Sequence, residues 1–159
     1  MADAPQPSFQ IEKIYVKDVS LEIPGAPQVF LEAQAPQLEI QVRHEAKGFA
    51  EGLFEVLLTV TVTAKAGDKT LFLAEAGQSG IFSLRNVPQA DLEPLLAVAC
   101  PTILYPYARE TISDLVARGG FPPVLLSPIS FETLYMQRLQ QQQQSGASQG
   151  EGPRIEVSR

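Results

Sequence analysis

Few residues of this chain could do covalent chemistry. It holds one histidine, His44, one cysteine, Cys100, and no tryptophan. A structural zinc site takes about four Cys or His ligands, so this complement cannot supply one. A nucleophile–base pair would have to be built on His44 or Cys100. His44 stands at the end of a strand-like run and reads as a surface polar residue. Cys100 precedes Pro101 at a predicted helix start, where a helix N-terminus could lower a thiol pKa, but a buried structural thiol is the simpler reading. Neither G-x-x-x-x-G-K-[ST] nor G-x-G-x-x-G occurs, so the standard nucleotide loops are missing. What remains is non-covalent. Aliphatic and aromatic side chains recur at strand and helix spacing, and the carboxylates Asp18 and Glu22 stand four residues apart. The expectation is a binding protein, not an enzyme, with no cofactor and no metal.

The composition agrees. The 159 residues suit one domain; 45% are apolar and only 19% charged, a thin charge complement that suggests an interface or an apolar binding face. The net charge of −6 repels phosphate backbones, which argues against nucleic acid and favours basic partners. A lone thiol fits a reducing cytoplasm. The opening MADAPQPSFQ is no signal peptide, and no apolar run approaches the ~18 residues of a membrane span, so no membrane insertion is expected. Residues 1–7 read as a flexible tail, 8–142 as the folded domain, and 143–159, with the end of the Gln140–Gln144 run and SGASQGEGPRIEVSR, as a disordered tail.

The first half of the domain reads as strands. Phe9 and Ile11, then Ile14 and Val16, then Val19, Leu21 and Ile23 alternate with two phase slips, which predicts a long strand with bulges or two short ones. Residues 24–36 are too long and too proline-punctuated for a hairpin and read as a crossover. Leu38, Ile40 and Val42 mark the next strand, Gly48 to Gly52 a loop, and Phe54 to Val62 a long strand. Ala66-Gly67-Asp68-Lys69 signals a hairpin turn. The return strand, Thr70 to about Leu84, sets Leu71, Leu73 and Glu75 against Phe72, Ala74, Ala76 and Gln78. Small residues on a strand face imply close approach, either by a helix on the sheet or by a second subunit. The second half reads as helices: Asp91 capping Leu92–Cys100, Pro101 opening a helix with Pro106 inside it, Gly119-Gly120 ending it, an apolar triple-proline loop, and Ser130 capping a last helix. Strands followed by helices, without alternation, predict an α+β fold on a four-stranded antiparallel sheet with the C-terminal helices on one face.

The segments IYVKDVSLE (14–22), EVLLTVTVTA (55–64), GIFSL (80–84), ACPTILYPYARETISDLVARGGFPP (99–123) and FETLYMQRLQQQ (131–142) resemble the SecB family of bacterial export chaperones. CPTILYPYARE is a specific string, and the likeness spans about residues 8–140. It implies an ATP-independent holdase that binds unfolded precursors of secreted proteins, keeps them translocation-competent and passes them to the SecA motor. It also implies a cytoplasmic homotetramer built as a dimer of dimers.

The resemblance carries over onto three residue sets. Positions matching the client groove are Tyr15, Phe30, Leu38, Ile40, Val42, Tyr107, Tyr135 and Leu139. Asp18, Glu22, Leu73 and Glu75 match the surface that docks the zinc-bearing C-terminal tail of SecA. Ala74, Ala76 and Gln78 match a face near subunit contacts. Two other readings stay open on sequence: a SecB-like chaperone dedicated to one client, and a small-ligand-binding domain on the same fold.

Overall fold

The computed structural model describes residues 4–148. Four long strands form one antiparallel sheet: β1 (Ser8–Glu22), β2 (Gln37–Ala50), β3 (Leu53–Ala66) and β4 (Lys69–Arg85), in the order β1-β4-β3-β2. Strands β1 and β2 are the edges, and the crossover 24–36, with a 3₁₀ turn at Gln28–Leu31, carries the chain from one edge to the other. Register shifts fall between Ile11 and Lys13 and between Val16 and Asp18, so both phase slips are bulges in one continuous strand.

Alternation fixes the two faces. Val56, Leu58, Val60, Val62 and Ala64 of β3 and Phe72, Ala74, Ala76 and Phe82 of β4 are buried on one side. Helix α2 (Cys100–Arg118) lies across that side and adds Leu104, Ala108, Ile112 and Val116 to the core. Its close approach depends on small residues below it. A Cβ on Gly80 would come within 2.7 Å of the Phe82 ring and 3.0 Å of Leu104 Cδ2. Gln78 and Thr111 are hydrogen-bonded at 3.3 Å, and a Cβ on Gly119 would lie 2.9 Å from Leu21, the cross-strand partner of Ala74. Helix α2 thus follows β4 from Gly80 towards Ala74, with Ala76 between. Leu73, Glu75 and their neighbours lie on the opposite, helix-free face.

Three local expectations need correction. Strand β2 runs on to Ala50, and the loop expected at Gly48–Gly52 shrinks to a turn at Glu51–Gly52. The predicted break before Pro101 is absent. Helix α1 (Gln89–Pro94) passes through a π-helical turn, Leu95–Ala99, directly into α2. Pro101 lacks an N–H and crowds the preceding turn, and the widened turn just before it accommodates that ring without ending the helix. Asp91 lies in the first turn but makes no side-chain cap. The last helix, α3 (Phe131–Ser148), does start as expected, with Ser130 Oγ accepting from the Thr133 amide at 3.2 Å. It extends past the boundary drawn at 143, because glutamine is a competent helix former once a helix is under way. Residues 1–3 and 149–159 of the two expected tails lie outside the described residues.

Candidate functional site: an apolar cleft and an acidic strand face

The helix-bearing face of the sheet is not covered to its edge. Helix α2 packs on β4 and β3, which leaves the even-numbered residues of β2 beyond its reach. Leu38 is 42% exposed and Ile40 45% exposed, while Val42 is half-buried. Phe30, on the 3₁₀ turn, is 50% exposed, yet its ring is fixed against Phe121 at 5.2 Å, and Phe121 in turn rests on Phe72 at 4.8 Å. Gly120, at φ +85°, lets the chain turn after α2 so that Phe121 meets them. Val29, Phe30, Leu38, Phe72, Phe121 and Leu125 line a cleft of about 470 Å³, within the usual range for binding pockets. The loop over residues 121–130 forms one wall. Val124 and Leu126 point into the core, and Leu125 between them is 82% exposed.

A second cleft, farther along β2, is lined by His44, Glu45, Ala46, Leu92, Leu96 and Arg138, and the His44 ring stands edge-on to Phe131 at 6.3 Å. Burial, and then the nearby Arg138, hold the His44 pKa below its ordinary value. The histidine expected at the surface is half-buried, between Phe131 at the start of α3 and the cleft it shares with Leu92, Glu93 and Leu96. Tyr135 and Leu139 are half-buried on α3, with the Arg138 guanidinium 5.8 Å from the Tyr135 ring. Phe30, Leu38, Ile40 and Val42 thus share one stretch of surface, and Tyr135 and Leu139 belong to the helix at its far end.

Tyr15 and Tyr107 are not brought to this surface. Tyr107 is exposed on α2 and lines no part of the cleft. Tyr15 pairs with Ser79, whose odd-numbered place in β4 sets both on the helix-free face. There its hydroxyl donates to Glu55, which also accepts from Lys17 at 2.7 Å. The Lys17 ammonium and then the tyrosine hydroxyl hold the Glu55 carboxyl below the usual range. Sequence reasoning missed this trio, because it joins β1 to β3 across β4 and depends on the bulge at Lys17. It also missed Val29, Phe121 and Leu125 as cleft residues, although an apolar loop with three prolines signalled a packed surface.

The acidic set does come together. Glu22 stands opposite Leu73, Ser20 opposite Glu75 and Asp18 opposite Gly77, all on the helix-free face. Glu75 accepts from the Thr61 hydroxyl at 2.9 Å. Two carboxylates on an edge strand thus flank a half-buried leucine and a carboxylate on its neighbour.

The third set lies on the helix-bearing face. Ala74 and Ala76 are buried beneath α2 within the single chain. Gln78 is buried too; its Nε2 donates to the Tyr15 carbonyl at 3.2 Å, and its Oε1 accepts from Thr111. Within the single chain, the small residues of this face admit the helix. Cys100 is fully buried, and burial pushes its thiol pKa up to about 12, the reverse of an activated thiol.

This architecture defines a class: a binding protein with an open apolar channel along an edge strand and a charged opposite face. A family model described as "Preprotein translocase subunit SecB" matches residues 2–142. Among similar proteins, the "Protein-export protein SecB" of Chromobacterium violaceum is 60% identical over 141 residues, covering 89% of this chain and 94% of its own. That of Thiobacillus denitrificans is 53% identical over 150 residues, covering 94% and 99%. A SecB-like chaperone of Mycobacterium tuberculosis, solved in complex with a ChAD peptide from the HigA1 antitoxin, superposes with a TM-score of 0.64 at 20% identity, covering 76% of this chain and 90% of its own. The chain belongs to the SecB family of protein-export chaperones.

Proposed function

We infer that the chain is a cytoplasmic, ATP-independent holdase that keeps unfolded secretory precursors translocation-competent. Client chains lie in the channel that runs from Phe30 past Leu38, Ile40 and Val42, and α3 forms its far end. The observation that carries this reading is the exposure of Leu38, Ile40 and Phe30 together beside an unpaired strand edge. Apolar side chains and free main-chain groups are what an extended, unfolded segment can use without a defined sequence.

The energetics suit a holdase. Burying one large apolar side chain contributes about 1.5–3 kcal/mol. Ordering one residue of a flexible client costs about 1–2 kcal/mol. Two or three anchors therefore barely hold a short peptide, whereas a long chain that reaches several channels gains through effective concentration. A homotetramer, arranged as a dimer of dimers, supplies those channels. Release by handover requires no nucleotide. The surface formed by Asp18, Glu22, Leu73 and Glu75 takes the zinc-bearing C-terminal tail of SecA. A leucine ringed by carboxylates favours a basic partner with one apolar anchor, and gives orientation more than raw affinity.

Light scattering after size-exclusion chromatography tests this. The protein alone should have the mass of four protomers. With a urea-unfolded secretory precursor diluted into it, without nucleotide, it should gain the mass of a client chain, and it should ignore the folded client. A protein that never acquires unfolded client would overturn the reading.

A further inference from the structure

The acidic strand face has a cation next to it that does not neutralise it. Lys17 precedes Asp18 in the chain and is the extra residue of the second β1 bulge. Val16 pairs with Gln78 and Asp18 with Gly77, which leaves Lys17 without a partner on β4. Lys17 and Asp18 nonetheless share the helix-free face. A Cβ on Gly77 would meet Leu57 Cδ1 at 3.3 Å and Asp18 Cβ at 3.7 Å, so Asp18 lies on the side of Leu57. Glu55 stands two residues before Leu57 on β3, on the same side, and the Lys17 ammonium reaches it across β4 at 2.7 Å.

Glu55 is built to hold that ammonium. One carboxylate oxygen accepts from Lys17 Nζ and the other from the Tyr15 hydroxyl, so both are directed. The Glu55 side chain is 13% exposed and the Lys17 side chain 43%. The carboxylate is thus the fixed member of the pair and the ammonium the movable one. Asp18, Glu22 and Glu75 take part in none of the ion pairs among the described residues. An ammonium resting beside Asp18 would cancel charge that a basic partner needs.

We propose that Glu55 is a positioning residue for the docking surface: it draws the Lys17 ammonium across β4 and so leaves Asp18, Glu22 and Glu75 uncompensated for a basic partner. The clamp stands on the geometry, and its effect on docking rests on the reading of that surface given above. Glu55→Gln keeps the shape of the side chain and removes the charge that holds the ammonium, which then stays beside Asp18. Lys17 and Lys47, the cross-strand neighbour of Glu55, both reach solvent, so the substitution strands no cation in the interior.

Two readouts test the proposal. The first is acetylation of Lys17 in the full chain, followed by mass spectrometry. Its hydrogen bond to Glu55 raises the Lys17 pKa, which withholds the free amine from the reagent. A partly exposed ion pair is worth a factor of about two to five, so labelling should run about two- to fivefold faster in Glu55→Gln. The second is binding of the SecA C-terminal tail. At low salt its Kd should rise by about the same two- to fivefold. The difference should vanish near 1 M salt, where the screening length is about 3 Å. Adding Lys17→Met to Glu55→Gln should restore the parent affinity, which a merely structural loss would not allow.

Unchanged labelling of Lys17 overturns the clamp. Weaker tail binding that Lys17→Met fails to restore assigns the loss to packing and overturns the proposal. Tail binding that Leu73→Arg, Glu75→Lys abolishes and Glu55→Gln leaves unchanged overturns the effect on docking, while the docking surface stands. A tail that binds Leu73→Arg, Glu75→Lys as well as the parent, or binds neither, refutes the docking surface itself, and labelling still decides the clamp.

Discussion

Ala76→Leu separates packing within the chain from packing between chains. Ala76 is fully buried, with Val19 and Val60 as its cross-strand neighbours and α2 above. Leucine adds three carbons to a site with no free space, and such overpacking costs about 1–3 kcal/mol. For a domain of this size each kcal/mol lowers Tm by about 2–4 °C. The expected loss is therefore about 2–12 °C. Gly80→Ala should fall in the same range, because its Cβ would approach the Phe82 ring and Leu104 within 3.0 Å. The assay is thermal unfolding by circular dichroism, run beside light scattering at a fixed protomer concentration. The reasoning predicts a lowered midpoint with unchanged mass. A halved mass with an unchanged midpoint would refute it, because the small face of β4 would then serve a second subunit and not α2.

Other outcomes follow from the same geometry. A Leu73→Arg, Glu75→Lys variant should lose binding to the SecA C-terminal tail in a pull-down while keeping its Tm and its client binding; undiminished capture would discount that surface. Cys100, fully buried with its thiol pKa pushed up to about 12, should react with a thiol reagent at pH 8 only as fast as the protein unfolds, and rapid labelling of native protein would contradict its burial. The depressed pKa of His44 means that the unfolded chain binds a proton more readily. Stability contributed by the neutral ring is then present above about pH 6.5 and declines as pH falls from there through the folded value. His44→Gln should flatten that part of the denaturation profile, and an unchanged slope would assign it to other groups.

The sheet was legible because its inner strands obey a strict rule. Phe54 to Val62 alternates without fault, Gly67-Asp68 closes a tight hairpin, and the slips near Lys13 and Asp18 betray bulges by breaking phase. The carboxylate pair was legible for a related reason: a strand period of two keeps Asp18 and Glu22 on one face, while Leu73 and Glu75 were joined to them only by the family resemblance. The missed features depend on distances across the sheet. Nothing local separates a strand face covered by a helix from one covered by a subunit, so Ala74 and Ala76 supported either. Tyr15 looked like a groove residue until the bulges turned it to the face of Glu55. The extension of β2 to Ala50 was hidden because Ala46 and Gly48, on a bare edge, show no hydrophobic alternation. The helix through Pro101 was hidden because the π-helical turn that admits the proline has no sequence signature of its own.

The account's central claim is that unfolded chains bind the apolar channel beside β2. Fluorescence anisotropy with a labelled, unfolded secretory precursor, without nucleotide, tests it on a Phe30→Asp, Leu38→Asp variant. Both side chains are half-exposed on one wall of the cleft, so their charge should leave the core intact. Losing even half the burial of one large apolar side chain is worth about 0.75–1.5 kcal/mol, and two such losses amount to about a tenfold rise in Kd or more. The account predicts that rise, with Tm and mass unchanged. An equal Kd for variant and parent would contradict it.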